Sequence, residues 1–532
     1  MYRARVKTNC VAPWRGATVI IILGVAELTR AVFILLLLAL GPGALAQHQH
    51  EAPEKLGTVS FPVSCSAQVQ GGFNRAVALL HSFTYAPAAV AFQEVTRQDP
   101  NCAMAHWGIA MSYYNPLWAA PLPGDAVQKG SAELERARQI GGGDDREKEY
   151  IAAASLIFNE KAGAYSARAA NYRDAMASLA QHYPEDTETQ IFYALALLAT
   201  ANPQDKTHAN QKAAAKILGP LYKKYPQHPG LSHYLIHAYD NAELAPQGLQ
   251  AAHDYSQIAP SAPHALHMPS HIFTRLGMWS DSVRSNQAAR AAALQQGDLG
   301  EALHAMDYLV YAFLQQGRDA DAASVIKELE NRGPAGNDFK SSYAATAMPV
   351  RYAVERKQWK EASRCAAPAG APPQVAALAA WARALGEARS GDADASSAEL
   401  KSIQGMAEQL RASGNQYWAG QVQIQAQEIS AWIAAAGHKS DEALALMNQA
   451  ADQEDAVEKL PLTPGPVVPA REQLGDLLAQ FGRPEAALAA YEKTLQDAPG
   501  RRGALQGARD SARAAGLQAK SSYYEATLKT LN

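Results

Sequence analysis

The feature that most limits what this chain can become is its period. Pro226 and Pro260 lie 34 residues apart, and short blocks of one pattern recur on both sides of them. The clearest block is REQLGDLLAQFGRPEAALAAYEKTLQDAP, in which Leu474-Gly475, Leu478, Gly482, Ala487, Tyr491 and Pro499 punctuate two apolar stretches. The Leu-Gly pair and the small Ala let two helices cross closely, Gly482 supplies the turn, and Pro499 stops the second helix. Related blocks are VAFQEVTRQDP, KAAAKILGPLYKKYP, HIFTRLGMW and YAFLQQGRDADAA, with weaker copies in RYAVERKQWKEA, WARALGEARSGD and WIAAAGHKSDEALALM. A hairpin of this kind cannot bury its own apolar face, so neighbours must stack. Eight to ten such units are expected over most of residues 68–530, and no long strand-like alternation interrupts them. With 48% apolar and 19% charged residues, wholesale disorder is excluded.

The 471–499 block resembles a tetratricopeptide repeat, almost position for position. That resemblance implies an all-α, right-handed superhelical solenoid of helix-turn-helix repeats, with first helices lining a concave groove. The period is broken at 116–143, 331–338, 366–373 and 460–469, which divides the chain into an N-terminal array, 68–330, and a C-terminal array, 331–530. The connector within KLPLTPGPVVPARE is too rich in proline for a helix and is expected to be ordered and extended. Loops such as this one can fold over the groove.

The first 46 residues differ from the rest. Arg3, Arg5, Lys7, Arg15 and Arg30 stand against one acid, Glu27, and Arg30 precedes the apolar run Ala31–Leu40, Gly41-Pro-Gly and Ala44-Leu-Ala46. This is the layout of a secretory signal, with Thr18–Leu40 as an uncleaved anchor in the alternative. Export to the periplasm or medium is the expectation, with membrane contact confined to this segment. Residues 47–67 then form an extended lead-in beginning with Gln47-His-Gln-His50. Removing 1–46 leaves 43 basic residues against 50 acidic ones, a net of −7, which argues against a chain-wide grip on nucleic acid. Cys65, Cys102 and Cys365 remain, an odd number: one pair and one leftover, or three free thiols. Cys65 and Cys102 flank the first hairpin and are the candidate pair.

The chemistry is concentrated in YPQHPGLSHYLIHAYD and IAPSAPHALHMPSHIF. His233 and His237 are four apart and share one helix face, and His264, His267 and His271 make a second stripe. His267 follows His233 by 34 residues and His271 follows His237 by 34, so the two pairs occupy equivalent positions in adjacent units. By the repeat resemblance this phase points into the groove. Carried onward it adds Asp307 and Tyr311, with His304 in the phase of His264. Asp240 lies a turn beyond His237, Arg275 a turn beyond His271, and the first units contribute His81, Trp107 and Met111.

Two functions compete for these residues. A groove bearing His233, His237, His264, His267, His271, Asp240, Arg275, Asp307 and Tyr311 can bind an extended protein or peptide segment. Alternatively, His233, His237, His267 and His271 can converge on zinc, copper or iron, with Met268 nearby and an open position for chemistry as an oxidoreductase or hydrolase. A purely structural reading, in which the rings bond to backbone freed by Pro263 and Pro269, is weakened by the shared phase. A further stripe, Tyr417, Trp418, Gln421, Gln425 and Glu428, is half core by its spacing. No Walker loop, dinucleotide fingerprint, HExxH, CxxC or GxSxG elbow is present, so no catalytic set is assigned.

The longer segments FPVSCSAQVQGGFNRAVALLHSF, DPNCAMAHWGIAMSYYNPLW, HPGLSHYLIHAYD, APHALHMPSHIFTRLGMW and LTPGPVVPARE resemble a family of bacterial exported tetratricopeptide-repeat proteins without settled biochemistry. The resemblance covers nearly the whole chain after the signal and implies scaffolding or protein binding, with no reaction to carry over. Where that family leads one to expect a His before the connector, this chain has Leu460.

Overall fold

The computed structural model describes residues 54–531 apart from 116, 119–121, 123, 334, 335 and 337. The signal-like segment 1–46 and Gln47–His50 lie outside the described residues. Lys55–Asn532 forms one unit.

Local sequence makes the hairpins. Asp144, Asp186, Asp298, Asp338 and Asp392 each accept a backbone N–H from three residues on and so open a helix, while Gly277, Gly317 and Gly482 take positive φ between helices. Counting Pro263–Arg275 as one helix broken at Met268, the α-helices of the described residues pair off in chain order into twelve hairpins, from Gln70–His81 with Tyr85–Gln98 to Arg502–Ala514 with Gln518–Lys529. No strand occurs among the described residues. The fold is therefore the expected all-α solenoid of tetratricopeptide type. It carries more units than the eight to ten legible in sequence, because hairpins such as Asp145–Ile157 with Tyr165–His182, though marked by Gly163 and Pro184, lack the Leu-Gly pair. Gly475 shows why that punctuation exists: a Cβ there would stand 2.7 Å from the Tyr491 ring.

Packing is mostly between successive helices, and it continues across 331–338, where Leu299–Gln315 rests directly on Phe339–Glu355. Three long-range closures shape the concave side. Gln70–His81 meets Pro229–Tyr239, four hairpins further on. The lead-in crosses the repeat ends, with Thr58 N donating to Gln227 O and Ser261 N to Lys55 O. The last units fold back on the middle, where Trp279 Nε1 donates to Gly500 O at 3.0 Å and buried Arg501 joins Glu355 and Glu472. Cys65 and Cys102 are joined by a disulfide, and Cys365 is a buried free thiol.

The connector runs through the groove as a strap. Glu458 N donates to Pro203 O, Lys459 Nζ reaches Asp240, and Leu460 N donates to the Tyr417 hydroxyl. Further along, Arg351 donates to the carbonyls of Gly465 and Pro466, and Arg501 to that of Val467. Proline-rich backbone cannot satisfy its own carbonyls, so two buried guanidinium groups do so.

Candidate metal centre

Under the strap the first helices bring six imidazoles into one array. The expected foursome His233, His237, His267 and His271 does not share one point. Two triads form instead, His233, His237 and His264, then His267, His271 and His304, each with ligand atoms within 4.8 Å of one another. The grouping follows from the superhelix: a ring one repeat on is displaced along the groove, so rings a turn apart on one helix meet first and the third comes from a neighbouring unit. The triads adjoin, with His237 and His271 ring centroids 6.1 Å apart and those of His264 and His267 6.0 Å apart.

Hydrogen bonds at Nδ1 decide which nitrogen each ring presents. His267 Nδ1 lies 2.6 Å from Asn286 Oδ1, and Asn286 is oriented by its own amide N–H, which donates to Ser282 O. His271 Nδ1 lies 2.8 Å from Asp240. His233 Nδ1 faces the carbonyl of His81 at 2.6 Å, and His264 Nδ1 faces Glu301 at 3.0 Å. All four partners are acceptors, so all four Nδ1 atoms carry a proton, and in each neutral ring Nε2 is then the lone-pair nitrogen. Two of those lone pairs meet head on: His267 Nε2 and His271 Nε2 are 3.1 Å apart. The Tyr308 hydroxyl approaches His271 Nε2 from the side at 3.3 Å, which leaves His267 Nε2 with no donor. In the first triad His233 Nε2 stands 3.0 Å from His237 Nε2, while buried His264 Nε2 and His237 Nδ1 have no hydrogen-bond partner among the described residues.

Electrostatics disfavour the charged form of five of the rings. Burial, then the neighbouring imidazoles, lowers His233, His237, His267 and His304 well below the usual histidine value, and burial also lowers His271 against the pull of Asp240. Burial opposes ionisation of Asp240, but Lys459, Arg275 and His271 outweigh it and hold the carboxyl far below its ordinary range. Lys340 and His264 do the same for Glu301. A cation between two neutral nitrogens 3.0–3.1 Å apart, at the ordinary 2.0–2.1 Å from each, subtends roughly 100°, close to tetrahedral.

A third group differs in kind. His81 Nε2 and His228 Nε2 bond the two oxygens of buried Glu188 at 2.8 and 2.9 Å, and His81 Nδ1 meets the Tyr234 hydroxyl. Here both Nε2–H groups meet carboxylate lone pairs, so Glu188 clamps neighbouring repeats together, while buried His228 Nδ1 has no hydrogen-bond partner among the described residues.

The other sequence candidates are elsewhere. Asp240 and Arg275 pair with each other and with the strap. Asp307 and Tyr311 do not join the histidines: Asp307 pairs with Arg351, and the Tyr311 hydroxyl lies near Arg501. The phenol beside the rings is Tyr308, three residues before Tyr311 and so nearly one turn earlier on the helix Leu299–Gln315. Trp107 packs with Phe61, Tyr150 and Phe192, and Met111 and Met268 lie in the apolar core. Sequence reasoning missed Asn286, Glu301 and Glu188, which carry no spacing signal of their own. Phe83, held at φ 53 against three of the rings, was equally silent.

No protein-family model matches the chain, and no curated protein does. Among solved structures, a human IFIT1 dimer with m7Gppp-AAAA is 13% identical with a TM-score of 0.35, over 80% of this chain and 90% of that one. Naa15/Naa10 bound to HypK-THB is 12% identical with a TM-score of 0.24, over 87% and 68%, and the P58(IPK) TPR domain is 10% identical with a TM-score of 0.22, over 85% and 99%. Likenesses this distant add nothing to what the helices themselves show. Fold and site define a tetratricopeptide-type solenoid with a buried polyhistidine array.

Proposed function

We propose that this chain is an exported metalloprotein whose solenoid holds transition-metal ions in the groove, one in each histidine triad. The observation that carries the reading is the contact of His267 Nε2 with His271 Nε2 at 3.1 Å, both rings having their protons fixed on the far nitrogen. Two neutral lone pairs repel at that distance unless a cation lies between them. Acceptors behind the ligands, orienting each ring, are the usual support of a histidine metal site. All-imidazole donors suit zinc, copper or iron. The Cys65–Cys102 bridge agrees with an oxidising compartment, and among the described residues no helix is long and apolar enough to cross a membrane.

Binding of a protein or peptide segment by the concave face is the competing reading. The groove does hold a polypeptide segment, but it is the chain's own strap, irregular and turned at 461–464, which already engages Asp240, Arg275 and Arg351. An external segment would have to displace it.

The test is metal analysis of the full chain from its native compartment, purified without chelator or histidine tag. Up to two ions per chain are expected, with one lost in His267→Ala/His271→Ala and the other in His233→Ala/His264→Ala. A correctly folded protein that stays metal-free after exposure to zinc, copper and ferrous iron overturns the reading.

A further inference from the structure

Beside His237 the strap leaves a cavity of about 50 Å3, walled by Trp118, Asp240, Asn241 and Lys459, with half-buried Ala201 and Pro203 at its rim. At roughly 10–15 Å3 per water it has room for about three to five waters, or one molecule of about that many heavy atoms. Its polar groups are lopsided. The carboxylates at its wall are engaged, Asp240 by His271, Arg275 and Lys459, and Glu458 by Lys206 and Arg275. The donors are not. Asn241 Oδ1 accepts from Leu244 N, but its buried Nδ2 has no partner among the described residues. Lys459 Nζ makes one hydrogen bond, to Asp240, for its three N–H groups. His237 Nδ1 is buried and unpartnered as well.

We infer that this cavity binds a small planar oxyanion of formate or carbonate size, accepting from Asn241 Nδ2, Lys459 Nζ and His237 Nδ1. This rests on the metal-centre reading in one respect. When Nε2 of His237 is a ligand, its only proton must sit on Nδ1, which makes that atom a donor. Unpaired donors beside an ammonium favour an acceptor-only guest, since a buried donor left unmatched is costly. The flat indole of Trp118, tilted over His237 with ring centroids 4.5 Å apart, sets the size limit. The anion sits behind the ligand His237, not on the metal.

The test is calorimetric titration of formate into the zinc-loaded full chain, with propionate as the size control and elemental analysis of each sample. Saturable 1:1 formate binding is expected, with propionate at least tenfold weaker. Asn241→Asp keeps the acceptor that holds Leu244 N but removes the donor, and should weaken formate at least tenfold. Lys459→Gln should weaken it similarly, with circular dichroism confirming both folds. A chain that takes no zinc fails the metal-centre reading and, with it, the fixed proton on His237. A zinc-loaded chain that does not saturate with formate, or binds it equally well as Asn241→Asp, overturns the cavity assignment alone; the latter result would place formate on the metal.

Discussion

Asp240 and His271 are joined by a 2.8 Å bond from the imidazole Nδ1 to a carboxylate oxygen, and that bond decides which nitrogen His271 turns toward His267. The same carboxylate carries Arg275 and, from 219 residues away in sequence, Lys459 of the strap. Orientation of the array and closure of the groove therefore share one anion.

Replacing it isosterically separates these roles. In Asp240→Asn the amide oxygen can still accept from His271, but two buried cations lose their counter-charge. A loss of about 3–5 kcal/mol in urea unfolding is expected. Metal affinity, measured by chelator competition, should fall by roughly 10–100-fold. An unchanged affinity in a folded variant would mean that Asp240 serves the strap alone.

Acid should unfold this protein early. His81, His233, His237, His267, His271 and His304 all have values lowered by burial, so below the ordinary 6.5 the unfolded chain takes up protons that the folded one does not. Stability is thus fully present above about pH 6.5 and falls as pH drops, by up to about 1.4 kcal/mol per pH unit for each ring. Glu188 adds a second stage: burial opposes its ionisation, but His228 and His81 hold it down at about 2, so its share is kept above the usual 4.5 and lost toward pH 2. Urea midpoints should change little between pH 8 and about 6.5 and decline through pH 5.5 and 4, and bound metal should delay the first stage. Glu188→Ala, which leaves two buried imidazole N–H groups unmatched, should cost several kcal/mol at pH 7. A flat profile from pH 8 to 5 would contradict the neutral, buried state of the rings.

Gly475→Ala tests the helix crossing that the sequence announces. The added methyl would meet the Tyr491 ring at 2.7 Å, and that ring is also pressed by Gly507 and tied to Asp476. A cost of about 1–3 kcal/mol is expected. Gly405→Ala, at a helical position with nothing within 4 Å, should be neutral or stabilising and serves as the control.

These residues also show what was legible. Gly475, Gly482 and Pro499 could be read because close crossing, positive φ and helix ending each demand particular residue types at fixed offsets. The histidines could be read because their 34-residue phase is a property of the chain itself. Their grouping could not, since it depends on the displacement between neighbouring units, a tertiary quantity; that is why Tyr308 replaced Tyr311 and His264 and His304 completed the triads. Asn286, Glu301 and Glu188 act through single hydrogen bonds to distant rings, which no local pattern encodes.

The strap is where the groove's fate is decided, and Arg351 is its anchor. This fully buried side chain bonds Asp307 Oδ1 at 2.9 Å and the carbonyls of Gly465 and Pro466 at 2.9 and 3.2 Å. Asp307 Oδ2 has no other partner among the described residues, and its carboxyl is pushed up by burial against the pull of Arg351. Arg351→Met alone strands Asp307 in the interior, so a loss of about 3–5 kcal/mol is expected. Adding Asp307→Leu removes the stranded carboxylate and should restore much of the stability without restoring the hold on the strap. Limited proteolysis then distinguishes anchoring from bulk stability: the double variant should unfold near the wild-type urea midpoint yet be cut within 460–466 at least tenfold faster. Equal cutting rates at equal stability would show that Lys459, Tyr417 and Arg501 suffice to hold the strap, and that Arg351 serves only to neutralise Asp307.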